Sequence, residues 1–224
     1  MRVMQTATKG AEAPQPKPAA LAYRIGDAVY LNVTSRCSLR CGFCPKFHGL
    51  WTVEGTRMRL PATGEPQPSA LIAAARALGP CVEYVFCGLG EPTTRLAVVL
   101  SVASVLKGWG VPVRLNTDGL ANLVHGYDVV PEFRGLIDHV SISLNAADEL
   151  VYKRLCRPKI PGSYAAMLSF ARRCLGIVPK VTLTAIDGLE GVDIGACAGI
   201  ARGMGAEFRA RPLELTDGRT FRVR

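Results

Sequence analysis

The stretch from residue 83 to residue 92 reads Glu-Tyr-Val-Phe-Cys-Gly-Leu-Gly-Glu-Pro, a short apolar run that ends in a glycine-rich turn. Glycine and proline directly after an apolar run predict a strand at Glu83 to Cys87 followed by a tight turn. A helical pattern at Leu96 to Lys107 and a second strand pattern at Val113 to Thr117 come next. Strand, helix and strand in this order predict two parallel strands joined by a right-handed crossover.

The same alternation extends in both directions from this unit. Further strands are predicted at Ala28 to Thr34, Val140 to Leu144, Val181 to Ile186 and Phe208 to Pro212, and helical segments at Ser69 to Leu78, 128–136, Ser163 to Leu175 and Ile194 to Met204. Six such steps predict an α/β fold, a partial (β/α)6 TIM-type barrel with six parallel strands. A flat doubly wound sheet is the alternative. Both architectures place the active site at the carboxyl ends of the strands.

Composition predicts one folded domain with a polar tail at each end. The chain has 224 residues, of which 49% are hydrophobic, which is enough for a full core. We expect a disordered, basic, Ala/Pro-rich tail at 1–26, a core domain at 27–214 and a basic extension at 215–224. No apolar run is long enough to span a bilayer and no signal peptide is visible, so we expect a cytoplasmic protein with reduced cysteines and no membrane partner.

The formal net charge of +9 is concentrated at the two ends of the chain. Basic ends often serve solubility. Binding to nucleic acid stays open, but no RNA-binding motif or interleaved aromatic stripe supports it.

Alternation along the strands predicts a polar inner face. In the third strand Arg114, Asn116 and Asp118 share one parity, opposite the apolar Val113 and Leu115. The same inward parity includes Asn32, Thr34, Ser141, Ser143, Asn145, Thr182, Thr184, Arg209 and Arg211. A structural barrel fills its interior with branched apolar side chains, so a polar interior indicates a bound ligand.

Three of these inward residues are cations, namely Arg114, Arg209 and Arg211. Buried guanidinium groups need an anion, which predicts an anionic substrate. The alternative is that Asp118 and Glu214 balance this charge within the protein.

Three cysteines lie in the run Cys-Ser-Leu-Arg-Cys-Gly-Phe-Cys, at Cys37, Cys41 and Cys44. Three thiolates can hold a [4Fe-4S] cluster and leave one iron open to a non-protein ligand. The alternative is a structural zinc site in which His48 is the fourth ligand. The remaining five cysteines are expected to be small buried hydrophobic residues.

The order of these motifs resembles that of the radical S-adenosylmethionine (SAM) superfamily. The similarity covers Asn-Val-Thr-Ser-Arg-Cys at 32–37, Cys-Gly-Leu-Gly-Glu-Pro-Thr at 87–93, Leu-Asn-Thr-Asp-Gly-Leu at 115–120 and Val-Ser-Ile-Ser-Leu-Asn at 140–145. The stretches at 119–126, 155–158 and 191–194 look closest to the TatD-associated radical SAM subgroup.

The resemblance implies a [4Fe-4S] cluster on Cys37, Cys41 and Cys44, with SAM bound to the open iron. It implies reductive cleavage of SAM to methionine and a 5′-deoxyadenosyl radical, which takes a hydrogen atom from a substrate. A reductant such as flavodoxin or ferredoxin would supply the electron. The SAM-binding residues that it implies are Phe43, Gly88, Gly90, Glu91, Asn116, Asp118, Ser143 and Asn145.

The sequence departs from the family pattern at Asp118, where many members have asparagine. A second class of function also stays open, a non-catalytic module that carries zinc or an electron-transfer cluster.

Overall fold

The computed structural model describes residues 18–216 and 220–223. Its main sheet has eight strands in the order β1-β2-β5-β6-β7-β8-β9-β10. Their bounds are Ala22–Ile25 (β1), Ala28–Leu31 (β2), Glu83–Phe86 (β5), Val113–Thr117 (β6), His139–Ser143 (β7), Lys180–Asp187 (β8), Glu207–Thr216 (β9) and Thr220–Val223 (β10). A separate hairpin consists of β3 (Thr52–Val53) and β4 (Thr56–Arg57).

The strands from β2 to β9 lie beside one another in chain order, and each pair in this run is parallel. This sheet curls into a half-barrel, consistent with a partial TIM barrel. The doubly wound alternative is wrong, because a doubly wound sheet reverses its strand order at a switch point and this one does not.

Six α-helices in the described part of the chain fill the connections. They are α1 (Pro68–Ala77), α2 (Leu96–Gly108), α3 (Ala121–His125), α4 (Glu149–Cys156), α5 (Ser163–Leu175) and α6 (Ile194–Met204). Short 3-10 helices cover Pro45–His48, Pro92–Arg95 and Val130–Phe133. Within the described residues, none of these helices is long and apolar enough to cross a bilayer.

The core lies between the helices and one face of the sheet. Val113 and Leu115 of β6 and Val140 and Ile142 of β7 are fully buried, as the predicted parity requires. Helix α2 contributes a buried stripe that includes Leu106. Burial of each large apolar side chain stabilises the fold by about 1.5–3 kcal/mol, so this layer fixes the positions of the strand ends.

The sheet is larger than the six strands predicted, because an antiparallel strand is added at each edge. The first of these, β1, lies inside the predicted tail 1–26 and pairs with β2 through Tyr23 opposite Tyr30. Tyr23 is buried and donates a hydrogen bond to the carbonyl of Cys87 at 3.1 Å, which orders this segment. Residues 1–17 of the predicted tail lie outside the described residues.

At the other end, β9 continues to Thr216, past the predicted domain boundary at 214, and β10 follows within the predicted extension. The long last strand and its hairpin partner therefore belong to the same sheet as the core.

Two further differences concern the connections. The helical segment predicted at 128–136 is only the 3-10 helix at Val130–Phe133, since Pro131 lacks the amide hydrogen that an α-helix needs. Helix α4 was not predicted, although Asp148 caps its first turn by accepting a hydrogen bond from the Val151 amide at 2.9 Å.

Candidate functional site

The cysteine loop follows β2 at the carboxyl end of the sheet. Cys37, Cys41 and Cys44 are all free and only partly exposed. Cys44 stands directly before the 3-10 helix Pro45–His48, whose proline fixes the direction in which the chain leaves the loop.

Backbone hydrogen bonds fasten this loop to the end of α4. The Arg40 amide donates to the carbonyl of Cys156 at 3.0 Å, and the Gly42 amide donates to the carbonyl of Leu155 at 2.8 Å. These two bonds lie on either side of Cys41. The loop is therefore held in one conformation by residues more than a hundred positions away in the chain.

Lys159 also contacts the cysteine loop, at Cys37. Lys159 donates from Nζ to the carbonyl of Cys37 at 3.0 Å, and an isolated β-bridge joins Leu39 to Pro158. Residues 155–159 thus brace the whole run from Cys37 to Gly42.

Burial makes the three thiols weak acids in the metal-free chain. It raises the pKa of Cys37 and of Cys44 above the usual range. The pKa of Cys41 is raised first by a hydrogen bond with the Cys156 thiol and then by burial. Metal ligation requires thiolates, so iron would displace protons from this loop.

Two buried carboxyl groups lie beside the cysteine loop. Glu91 accepts hydrogen bonds from the Thr93 amide at 2.9 Å and from the Asp118 amide at 2.7 Å. It also accepts from the hydroxyls of Thr93 and Thr117, each at 2.8 Å. Asp118 accepts from the Ser38 hydroxyl and from the Leu120 amide.

Burial raises the pKa of Glu91, and the charge of Asp118 raises it further. Burial likewise raises the pKa of Asp118. In residues 18–213, no lysine or arginine lies within salt-bridge distance of either carboxyl group. Two buried carboxyl groups with no lysine or arginine beside them favour a cationic ligand.

The glycines of the Gly-Leu-Gly-Glu turn make room for the chain after β2. A Cβ atom on Gly88 would lie 2.4 Å from Oδ1 of Asn32, and one on Gly90 would lie 2.3 Å from the carbonyl oxygen of Thr34. The Glu91 amide donates to the carbonyl of Arg36 at 2.7 Å in the same contact. The turn therefore packs directly against the segment that leads into the cysteine loop.

The remaining predicted SAM residues lie at the same end of the sheet. Phe43 packs against the core and Ser143 is half-buried at the end of β7. Oδ1 of Asn116 is buried and, within the described residues, has no hydrogen-bond partner. Asn145 is buried and bonded on both sides, to Arg211 and to Cys156.

The three predicted substrate arginines share the inner face but differ in their partners. Arg114 forms an ion pair with Glu83 at 2.9 Å and a hydrogen bond to the Tyr30 hydroxyl at 3.2 Å. Its charge is therefore balanced within the protein by Glu83 and not by Asp118; the side chain of Glu214 lies outside the described residues.

Arg209 and Arg211 behave differently. In the part of the chain that the structure describes, neither has a carboxylate within salt-bridge distance. Burial and the nearby charge of Arg209 together lower the pKa of Arg211 to about 10. Among the described residues, Arg211 has one hydrogen bond, from Nη2 to Oδ1 of Asn145 at 3.3 Å, and its buried Nε has none.

A cavity of about 570 Å³ opens beside Cys37. Its polar lining includes Arg36, Lys46 and Lys159, and its apolar lining includes Phe47 and Trp51. A smaller cavity of about 270 Å³ lies nearer the amino ends of the strands, between Arg114, His139 and Arg209. The larger cavity is the one that reaches the cysteine loop.

His48, the fourth ligand of the zinc alternative, bonds through Nε2 to the carbonyl of Gly42. A ring nitrogen that donates to a carbonyl is not available to bind zinc through that atom. Among the described residues, no three His, Cys, Asp or Glu side chains converge on one point as ligands of a single metal ion would.

This fold and site define a half-barrel with a cysteine loop at its open end, and the sequence assigns it to a family. The sequence profile of the radical SAM superfamily matches residues 31–200, well over half of the chain. The chain therefore belongs to the radical SAM superfamily. Members of this superfamily are enzymes, and the family implies a [4Fe-4S] cluster and SAM.

Three solved structures share the fold at low sequence identity. TYW1 with a lysine-pyruvate adduct bound is 14% identical with a TM-score of 0.60, and the match covers 86% of this chain and 68% of that one. Streptococcus suis SuiB bound to S-adenosylmethionine is 15% identical with a TM-score of 0.59, covering 84% of this chain and 39% of that one. Methylornithine synthase (PylB) is 15% identical with a TM-score of 0.53, covering 86% and 55%.

This chain thus spans well under half the length of SuiB and about half that of PylB. No curated protein matches it in sequence. The solved structures therefore support the fold.

The donor types present fit both cofactors of the family, and the three thiols do not converge on one point in this structure. Three partly buried thiols stand in one braced loop, and two buried acids and the unpaired Oδ1 of Asn116 lie nearby. Sequence reasoning missed Ser38, Cys156 and Lys159, which hold these groups in place. Of these three residues, only Ser38 could have been identified from the sequence, because it is next to Cys37. Cys156 and Lys159 come from a distant part of the chain.

Proposed function

We propose that Cys37, Cys41 and Cys44 hold the [4Fe-4S] cluster of a radical SAM enzyme and that SAM binds beside it. One observation carries this proposal, the pair of buried acids next to the cysteine loop with no cationic partner among the described residues. SAM bears an ammonium and a sulfonium group. Without a ligand, the raised pKa of Glu91 keeps a proton on the acid pair, and a cationic ligand would replace that proton when it binds.

The chain's own part is to position SAM and to shield it from water. When SAM is bound, Glu91 and Asp118 would hold the ammonium group, Phe43 would hold the adenine, and Ser143 and Asn145 would bind the ribose hydroxyls. Asn116 offers its unpaired Oδ1, and Gly88 and Gly90 let the turn approach closely. The chemistry that the cofactors supply when bound is reductive cleavage of SAM to methionine and a 5′-deoxyadenosyl radical, which takes a hydrogen atom from the substrate.

The substrate in this proposal is an anion. Arg211 is half-buried on the inner face without a carboxylate in residues 18–213, Lys46 and Lys159 line the cavity beside Cys37, and Arg209 is exposed beside the smaller cavity. Cations without a carboxylate partner favour an anionic ligand. Arg114 and Arg36 are left out of this set, because Glu83 and Glu65 already neutralise them.

The motifs at 119–126, 155–158 and 191–194 support assignment to the TatD-associated subgroup. Residues 155–158 have a structural role that fits a subgroup-specific motif, since they brace the cysteine loop. In this proposal the protein is cytoplasmic, and flavodoxin or ferredoxin supplies the electron.

The formation of 5′-deoxyadenosine tests the proposed reaction. Anaerobically reconstituted protein, supplied with SAM and dithionite, should produce 5′-deoxyadenosine and methionine in equal amounts, measured by liquid chromatography with mass spectrometry. Cys41→Ala should produce none, while Cys174→Ala, which removes a buried thiol far from the loop, should match the parent. Equal production by Cys41→Ala and the parent would refute the proposal.

A fractionated metabolite extract tests the anionic substrate. Passing the extract over an anion-exchange resin separates anions from the flow-through, and only the retained fraction should stimulate 5′-deoxyadenosine formation. Arg209→Ala should lose most of this stimulation, and Arg202→Ala, an exposed arginine at the end of α6, should keep it. Stimulation confined to the flow-through would contradict an anionic substrate.

A further inference from the structure

A chain of contacts links the half-buried Arg211 to the proposed cluster ligand Cys41. Arg211 donates from Nη2 to Oδ1 of Asn145 at 3.3 Å, and Asn145 donates from Nδ2 to Sγ of Cys156 at 3.4 Å. The amide orientation is consistent along the chain, because Oδ1 meets a donor and Nδ2 meets an acceptor. The Cys156 thiol is fully buried, so water does not interrupt this path.

The last link joins Cys156 to Cys41. The hydrogen bonds of the Arg40 and Gly42 amides to the carbonyls of Cys156 and Leu155 set the two cysteines side by side. The interaction of the two thiols is the first cause of the raised pKa of Cys41. Once Cys41 binds iron as a thiolate it has no proton to give, so in that state only Cys156 can donate.

Two residues with left-handed backbone shape this arrangement. They are Asn145, with φ of 60°, and Arg157, with φ of 46° at the end of helix α4. Asparagine adopts this conformation readily, and a left-handed residue is common at the end of a helix. The left-handed conformation of Asn145 places its side-chain amide between Arg211 and Cys156. Its backbone amide donates to the carbonyl of Thr184 at 3.1 Å.

We propose that Arg211, Asn145 and Cys156 form a relay that donates a hydrogen bond to the Cys41 thiolate and raises the reduction potential of the cluster. This inference rests on the proposed function. Hydrogen bonds to the ligand sulfurs are among the features that set the potential of an iron–sulfur cluster. They stabilise the reduced state more, because it carries one more negative charge, and the charge of the half-buried Arg211 acts in the same direction. Cys156 and Asn145 are positioning residues in this scheme.

The reduction potential of the reconstituted protein tests the relay. An anaerobic redox titration followed by electron paramagnetic resonance should show a more negative potential for Cys156→Ala. We expect about a tenfold loss in the equilibrium constant for reduction, which is about 59 mV for a one-electron couple. Cys156→Ser keeps a hydroxyl donor and should stay near the parent. Cys174→Ala, a buried thiol in α5, is the matched control and should equal the parent.

Two outcomes of the titration would overturn the relay. A Cys156→Ala variant with the same reduction potential as the parent would show that the hydrogen bond from Cys156 does not affect the cluster. An equal shift in Cys156→Ser and Cys156→Ala would show that packing, not a donor, is responsible. Iron content is measured first in each protein, so that a failure of the parent to bind a cluster is recognised as a failure of the proposed function.

A second measurement, on metal-free protein, tests only whether the thiols of Cys41 and Cys156 are adjacent. In a variant with Cys37 and Cys44 replaced by serine, diamide should oxidise Cys41 and Cys156 to a disulfide. The two thiols lose two protons and two electrons, and diamide is reduced to the hydrazine. Peptide mapping identifies the linked cysteines. Failure to form this disulfide, or linkage of Cys41 to Cys87 instead, would contradict the arrangement.

Discussion

The carboxyl group of Glu91 connects two strand ends through its hydrogen bonds. Two of its four donors are in Thr93, after β5, and two are in Thr117 and Asp118, at the end of β6. The sequence indicated a carboxylate for the SAM ammonium or an acid at the start of a helix. The structure shows in addition that this acid holds the turn after β5 to the turn after β6, which sequence could not reveal because the partners are 26 and 27 positions away.

Replacing Glu91 by glutamine separates its structural contribution from ligand binding. The amide of glutamine would present hydrogens to the Asp118 amide or to the Thr93 and Thr117 donors, leaving at least one buried donor unpaired. We expect the free energy of unfolding of the metal-free protein to fall by about 1–3 kcal/mol, measured by urea denaturation. SAM binding by the reconstituted variant should weaken by on the order of 1.5–3 kcal/mol, because one charge-assisted bond to the ammonium is lost.

Glu190→Gln provides the control, because Glu190 is exposed and uses only its carbonyl in a hydrogen bond. Its stability should stay within about 0.5 kcal/mol of the parent. A Glu91→Gln variant as stable as this control, with SAM binding unchanged, would show that the buried acid is dispensable for both roles.

The turn between β5 and the 3-10 helix Pro92–Arg95 is the element on which the site most depends. A Cβ atom on Gly90 would meet the carbonyl oxygens of Thr34 at 2.3 Å and Arg36 at 2.6 Å, and backbone atoms cannot move aside as a flexible side chain can. The turn and the segment before Cys37 therefore keep their contact only with glycine at this position.

A pair of glycine substitutions tests this contact. Gly90→Ala should destabilise the protein by roughly 3 kcal/mol or more and lower its iron content on reconstitution, since overpacking forces the backbone to shift. Gly108→Ala, at the end of α2 with open space around its Cβ position, should instead stabilise by about 0.5–1 kcal/mol. Thermal denaturation compares the two, and equal behaviour would contradict the close contact.

The sequence predicted the parallel strands better than the edge strands and the connecting helices. A short apolar run before a glycine marks β5, and polar/apolar alternation before a glycine or an asparagine marks β6 and β7, because one face of each strand is buried in the core and the chain then turns sharply. Edge strands such as β1 carry less of this pattern, and β1 follows directly on a proline-rich segment. Helix α4 has an aspartate cap, a signal that was present in the sequence and was missed.

At the scale of the whole molecule, the predicted inner parity places polar side chains in register across the sheet. Ser143 pairs with Thr184, and Thr184 with Arg209. The partners of these residues could not be predicted, because they depend on how far the sheet curls. Glu83 neutralises Arg114, whereas Arg209 and Arg211 keep an unbalanced charge within the described residues, and this difference narrows the proposed substrate contacts to two of the three arginines.

The half-barrel brings its polar interior, the acid pair and the cysteine loop to one open end, next to a cavity of about 570 Å³. The metal held by this loop decides whether the arrangement performs radical chemistry or only carries a structural ion. The central claim of the account is that the metal is a [4Fe-4S] cluster.

Metal analysis of anaerobically reconstituted protein tests this claim most directly. The account predicts a brown protein with about four irons per chain and an absorption band near roughly 400 nm from thiolate-bound iron. Each of Cys37→Ala, Cys41→Ala and Cys44→Ala should lose the band, and His48→Ala should keep it. Stoichiometric zinc that depends on His48 would contradict the account.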